Sequence, residues 1–363
     1  MIDATSIAGA VEKPQLLGLD RQSLANLLGS WGESPFRANQ ILQWLHTRQV
    51  TDFAEMTNIS KPLRARLAED TQWDEPTIIA DQIAADSTRK WLLGLPDGNA
   101  IETVFIPEED RGTLCISSQV GCSLACSFCA TGAQGLSRNL ETHEIIAQVR
   151  VARRYLGLDA ITNIVFMGMG EPMLNLRQVL PALSLLRDDY AYGFGPKRIT
   201  VSTAGVVPGM DRLGAESPVN LAISLHASRD DIRDVLVPVN RHYPLAELLA
   251  ACRRYPLPPR RRITFEYVML DGVNDADIHA RELLRLLRDI PAMVNLIPFN
   301  PFPGSDYQRS PQARIDAFRD IVMRGDVMTV TRRPRGDDIA AACGQLAGQV
   351  KNGRRSIPLM VRS

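Results

Sequence analysis

The sequence has no net charge, few aromatic residues and no long apolar run, and each shortage removes a class of protein. Its 41 basic and 41 acidic residues cancel, so there is no general positive coat, and any contact with nucleic acid has to rest on local patches. No stretch approaches the roughly 18 to 20 consecutive apolar residues that cross a bilayer as a helix, so no membrane association is expected. Six cysteines in 363 residues are too few for a disulfide scaffold and suit a reducing compartment where thiols stay available. The first twenty residues lack a basic segment followed by an apolar one, so no secretory signal is read there and a cytoplasmic location is expected. What is present is ordinary globular composition, 45% hydrophobic, with chain enough for a sizeable core.

Against that background Cys122, Cys126 and Cys129 stand out, spaced CxxxCxxC in a single short segment. Three thiolates on one loop make a metal site. Iron-sulfur clusters of the four-iron type usually take four protein thiolates, so a triplet without a nearby fourth leaves one iron open to a substrate or cofactor. Zinc is the competing assignment, but structural zinc needs a closed set of four ligands and no cysteine or histidine follows at finger spacing. An open cluster points to catalysis rather than to electron transfer alone.

Apolar residues recur at helical spacing between about 15 and 70, at Leu24, Leu27, Leu28, Ile41, Leu42, Trp44 and Leu45, which predicts a small helical appendage. Two apolar runs then flank the turn signal Pro96-Asp97-Gly98-Asn99, the pattern of a β-hairpin. From residue 113 onward, short β-branched runs alternate six times with amphipathic segments. That rhythm predicts a parallel sheet, and its regularity favours an incomplete TIM-like (β/α)6 barrel over a doubly wound sheet. The expected division is a helical accessory unit over 1–88, a candidate RNA-binding part that ends in the start of a β-hairpin linker, a catalytic body over 89–345 that includes the Cys343 segment, and a tail over 346–363.

In barrel enzymes chemistry gathers where strands end. Here the cluster loop follows the first strand, Gly168 to Pro172 (GMGEP) the second, Ser202 closes the third, Ser224 and His226 the fourth, and Asn300 follows the sixth. Each has a plain structural role open to it, since Glu171 can cap a turn and Ser202 can satisfy a backbone group. Together they outline a polar rim. His46, His143, His242 and His279 fall in settings without partners and are assigned no role. Cys115 precedes the cluster loop, Cys252 sits on the apolar face of a helix as a small hydrophobe, and Cys343 lies among small and glycine residues that leave a thiolate free to reach a reaction centre.

The triplet and these neighbours resemble the radical S-adenosylmethionine (SAM) enzymes, in which the amino and carboxylate groups of SAM chelate the fourth iron. Added to Glu102 in IETVFI, Cys115 in CISSQVGC, and the segments VSTAG, ISLHA, IPFNPFPG and RGDDIAAACGQLAG, they resemble more narrowly the RlmN family of dual-specificity adenine methyltransferases of 23S ribosomal RNA and transfer RNA. The resemblance runs from about residue 15 nearly to the end. It implies Cys122, Cys126 and Cys129 as ligands of one 4Fe-4S cluster, and Gly170, Glu171, Ser202, Ser224, Leu225, His226 and Asn300 as SAM contacts. It also implies Cys343 as methyl carrier, Cys115 as its resolving partner and Glu102 as general base, with two SAM per turnover and an external electron donor; a monomer is the default expectation for the assembly.

The sister family, which methylates carbon 8 instead of carbon 2, typically has an extra cysteine where this chain has Val120, and its distal motif differs from Arg335-Gly336-Asp337-Asp338. Both features favour carbon 2. A radical SAM enzyme acting on a non-RNA substrate and a non-enzymatic iron-sulfur protein are the competing functions. For RNA contact the candidates are Arg253 and Arg254, Arg260 to Arg262, Arg332, Arg333 and Arg335, and Arg354 and Arg355, although such runs are more often solvated surface.

Overall fold

A computed structural model describes residues 13–348 and Lys351; Arg354, Arg355 and most of the expected tail lie outside the described residues. The N-terminal part is helical, as its apolar spacing requires. Helix α1 (Arg21–Ser30) is capped by Asp20, which accepts from the Ser23 N–H, and α2 (Phe36–Leu42) runs on into a wider π turn over Gln43–Thr47. Helix α3 (Lys61–Asp70) is capped by Ser60 and has Pro62 in its first turn, where a missing N–H costs nothing. Leu24, Leu28, Ile41, Leu45, Leu63 and Leu67 form the buried stripe of this unit, each burial stabilising by about 1.5–3 kcal/mol.

The first strands are antiparallel: β1 (Thr77–Ile83), β2 (Arg89–Gly94), β3 (Ala100–Glu108) and β4 (Arg111–Cys115). The predicted hairpin is β2 and β3, while β1 was not foreseen; the expected boundary at residue 88 falls between β1 and β2. A detached ribbon of β5 (Gln119–Gly121) and β6 (Leu136–Asn139) carries the cysteine loop and α4 (Ala130–Gln134) between its strands.

After α5 (Thr142–Leu156), parallel strands alternate with helices: β7 (Asn163–Phe166), α6 (Leu176–Arg187), β8 (Ile199–Thr203), α7 (Val207–Glu216) and β9 (Asn220–Ser224). Two helices follow β9, the unforeseen α8 (Asp230–Leu236) and then α9 (Leu245–Arg254). The series continues with β10 (Ile263–Met269), α10 (Asp277–Leu287), β11 (Ala292–Pro298), α11 (Gln312–Arg324) and β12 (Met328–Thr331).

In the ten-stranded sheet the order is β1-β2-β3-β4-β7-β8-β9-β10-β11-β12. The order never reverses, and a doubly wound sheet requires a reversal at its switch point, so the incomplete barrel is the fold. From β4 to β12 all pairs are parallel, and Cys115 pairs with Val165, Thr203 with Ile223, Ser224 with Glu266 and Leu296 with Thr331. Parallel register brings all these strand ends to one mouth. Among the described residues no helix is long and apolar enough to cross a membrane.

Candidate active site

The cysteine loop is shaped by its backbone. Gly121 has φ 79°, and a Cβ there would stand 1.9 Å from the Gly135 carbonyl oxygen, so only glycine closes this ribbon. The Cys122 N–H donates to that same carbonyl at 2.9 Å, and Cys129 opens α4. All three thiols line a cavity of about 160 Å³ at the mouth. Gly170, Glu171, Ser202, Ser224, His226, Asn300 and Cys343 line it too.

Burial pushes the Cys122 thiol up to about 12, raises Cys129 and raises Cys126 well above its ordinary value. Thiols held neutral this way need a bound cation to become ligands, since a metal reverses that balance. Soft sulfur donors without a fourth partner fit an iron-sulfur cubane with one open iron. Among the described residues no three His, Cys, Asp or Glu side chains converge on a single ion; a cubane spreads its thiolates over separate irons and needs no such convergence.

On the facing wall Glu171 is buried. Burial raises its carboxyl to about 7, against the N–H groups of Ala204 (2.8 Å to Oε2) and Met173 (3.0 Å to Oε1) that favour the charged form. Its own N–H donates to Gln119 at 2.8 Å. Ser202 and Ser224 face each other across adjacent strands at 3.4 Å between hydroxyls. His226 sits at φ 60° with Nδ1 accepting the Val268 N–H at 3.0 Å, which leaves the proton on Nε2; burial, then Arg233, lower its pKa to about 3. The imidazole is therefore a neutral donor, edge-on to Phe128 with ring centroids 4.6 Å apart.

Cys343 hangs in a segment stapled on both sides. Lys90 donates to the Ala340 carbonyl at 3.2 Å and pairs with Glu102 at 2.9 Å, while the Ala347 N–H donates to the other Glu102 oxygen at 2.8 Å. The segment also grips the cysteine loop, with the Ala130 N–H donating to the Gly344 carbonyl at 2.7 Å and the Thr131 hydroxyl to that of Leu346 at 2.5 Å. Arg332 Nη1 donates to Cys343 Sγ at 3.0 Å. Burial first, then Cys343, raise the Cys115 thiol to about 12, with Arg332 opposing. One guanidinium thus serves both thiols.

Ten of the thirteen expected site residues line this one cavity. Leu225 is fully buried and contributes its carbonyl, to Arg233, rather than its side chain; Glu102 and Cys115 lie behind the Cys343 segment. Sequence reasoning missed Lys90, Glu266 and Arg233, and placed Arg332 among surface arginines. Glu266, whose carboxyl burial raises, lines the cavity and accepts from Asn295 at 2.9 Å. The one signal for it was a charged residue inside an otherwise apolar strand run, ITFEYVM.

A partial barrel whose mouth holds a three-thiol loop, a buried carboxylate opposite and a strand-end serine pair defines a radical SAM enzyme, and the radical SAM superfamily matches residues 116–284. The ribosomal RNA large subunit methyltransferase N-terminal domain matches residues 14–72. The chain is 56% identical over 343 residues to the dual-specificity RNA methyltransferase RlmN of Alkalilimnicola ehrlichii, covering 94% of this chain and 95% of that one. The crystal structure of a radical SAM methyltransferase from Sphaerobacter thermophilus superposes with a TM-score of 0.86 at 45% identity, covering 92% of this chain and 99% of that one. The chain belongs to the RlmN family of radical SAM RNA methyltransferases.

Proposed function

We propose that the protein methylates carbon 2 of adenosine in 23S ribosomal RNA and transfer RNA, and the observation that carries this is Cys343 suspended between Arg332, the cysteine loop and buried Cys115. Cys122, Cys126 and Cys129 hold one 4Fe-4S cluster, and Glu171, Ser202, Ser224, His226 and Asn300, with the backbone at Gly170 and Leu225, hold SAM. Bound together, these groups would supply a 5'-deoxyadenosyl radical, which a ring carbon without a nucleophilic lone pair requires.

The chain's own residues do the rest. Cys343 Sγ would take a methyl group by displacement, with the demethylated SAM as leaving group, for which alignment and nucleophilicity suffice; once one hydrogen atom of that methyl has passed to the radical, its carbon, still held on Sγ, bonds the ring. Two SAM are used per turnover, one as methyl donor and one as radical source. Glu102 removes the ring proton, exchanging its hydrogen bond from Ala347 for one to the substrate. Cys115 Sγ then attacks Cys343 Sγ, freeing the methylated base and leaving a Cys115–Cys343 disulfide that an external two-electron reductant reopens. The helical unit within 1–88 docks RNA on the body over 89–345, and the enzyme works as a cytoplasmic monomer.

The test is anaerobic reconstitution with iron and sulfide, incubation with methyl-labelled SAM, reductant and unmodified RNA, and mass spectrometry of the digested nucleosides. 2-Methyladenosine is expected. 8-Methyladenosine would move the protein to the sister activity, and no labelled nucleoside despite a full cluster and SAM cleavage would remove RNA as substrate.

A further inference from the structure

Arg233, on α8, is fully buried, yet every partner of its guanidinium is neutral. Nε donates to the Leu225 carbonyl at 3.0 Å, Nη2 to those of Ala204 and Ser224 at 2.6 and 3.2 Å, and Nη1 to Asn240 Oδ1 at 2.8 Å. The nearest carboxylates are held one residue away: Asn240 Nδ2 donates to Asp230 at 2.8 Å and Asp234 at 2.7 Å. Burial draws the Arg233 pKa down to about 10, which still leaves it a cation at neutral pH. A buried charge with hydrogen bonds but no counter-ion is costly unless an opposite charge lies nearby.

The place of that opposite charge follows from what surrounds it. The carbonyls Arg233 grips end β8 and β9, and Ala204 and Ser224 line the cavity together with Cys126. Helix α8 also carries the Leu236 carbonyl, which accepts the Ser127 N–H at 3.1 Å, one residue after Cys126. Once ionised, Cys126 is the strongest negative charge acting on Arg233, ahead of Asp230 and Asp234.

We propose that Arg233 is a positioning residue whose buried positive charge is the built-in counter-charge of the cysteine loop once its thiolates hold a cluster, and that this charge sets how readily the cluster is reduced. The inference rests on the ligand assignment above. Adding an electron to an anionic cluster is easier beside a fixed cation in a low-dielectric wall, and net charge is among the main determinants of cluster potential.

The test uses full-length protein reconstituted without RNA or SAM, and reads iron and sulfide content and the midpoint potential in a spectroscopic redox titration. Arg233→Gln is expected to weaken the reduction equilibrium about tenfold, about 59 mV more negative for one electron. Asn240→Asp, which leaves the arginine but sets a carboxylate against it, is expected to shift it the same way, while Arg233→Lys stays within about twofold of the parent. A midpoint equal to the parent's in either Arg233→Gln or Asn240→Asp, with full iron, overturns the proposal. If neither of those holds iron but the lysine variant does, the need for the charge is upheld; if the lysine variant also fails, shape and not charge is what Arg233 supplies. A parent chain that takes up no four-iron cluster would instead defeat the ligand assignment and leave the redox inference without its premise.

Discussion

Two arginines are equally buried in this molecule and are treated in opposite ways. Arg150, on α5 where the helical unit meets the barrel, is met by a carboxylate: Glu75 accepts from its Nη2 at 2.6 Å and from its Nε at 2.9 Å, and Arg154 holds the second Glu75 oxygen at 2.8 Å. The remaining Arg150 donors go to the carbonyls of Leu45 and Val50 in the helical unit. Arg233, at the barrel mouth, meets only neutral groups. At the flank the buried cation meets a carboxylate directly, whereas the mouth carries charge and polarity that the protein does not pair in this way: a cation without a carboxylate, a carboxyl raised by burial at Glu171, three thiols held neutral. Regions that balance internally hold the fold, and the region that does not is where a ligand belongs.

The sharpest way to break that contrast is to remove one reactive atom from the mouth. Cys343→Ala is expected to keep iron content and SAM cleavage while losing methylated nucleoside altogether, and Cys126→Ala is expected to lose the iron chromophore as well. Neither should lower the urea midpoint of the cofactor-free protein by more than a small core truncation does. Any methylated product from Cys343→Ala would remove the carrier role.

On the flank the expectation is reversed. Arg150→Met breaks a buried pair and leaves the Leu45 and Val50 carbonyls without their donor, so unfolding free energy should drop by about 3–5 kcal/mol. The folded fraction should still load iron with the parent's stoichiometry. A variant as stable as the parent would show that the two units do not depend on this contact.

A pH titration compares the regions without any substitution. At Glu171 the folded-state carboxyl lies at about 7 against an ordinary 4.5, so the folded protein binds a proton that the unfolded chain gives up. Its contribution is fully present below pH 4.5 and is lost as pH rises through 7, by about 3 kcal/mol in the cofactor-free protein. Glu75 moves the other way: against the opposing effect of burial, Arg150 and Arg154 hold its carboxyl below the ordinary range, so its contribution is lost as pH falls below that range. Glu171→Gln should flatten the first slope and leave the second, measured by urea unfolding at several pH values.

How much of this was legible in the chain divides along the same line. The cysteine triplet, the strand-end serines, His226, Asn300 and the six strand-helix units are local patterns that periodicity and spacing expose directly. Arg233 and Arg332 are not, because each is an unremarkable arginine in a polar stretch, SRDDIRDVL and TRRPRGDD, until packing turns it inward. Strand β1 escaped because its exposed, poorly alternating TIIADQI shows no buried face, and α8 because seven residues, four of them charged, are too short a run for the helical spacing of Ile232, Val235 and Leu236 to stand out. Lys90 in turn becomes recognisable only once the β2–β3 register sets it near Glu102. Short-range pattern reveals which residues are chemically able, while long-range pairing decides which are recruited.

The smallest expected effect lies on the surface, where the sequence invited the most. Arg254 belongs to the basic run that marked a candidate RNA face, but its fork closes on Asp211 at 2.9 and 2.7 Å, with both side chains about half exposed. An exposed pair of this kind contributes up to about 1 kcal/mol and less in salt. Its guanidinium is also half neutralised before any phosphate arrives, so each such residue adds less than a whole charge to electrostatic attraction. Arg254→Ala should therefore shift the urea midpoint slightly and leave the apparent KM for RNA within about twofold at moderate salt. A tenfold rise in KM that shrinks as salt is added would mean that RNA takes the place of Asp211, and that an arginine satisfied within the fold is still open to the substrate.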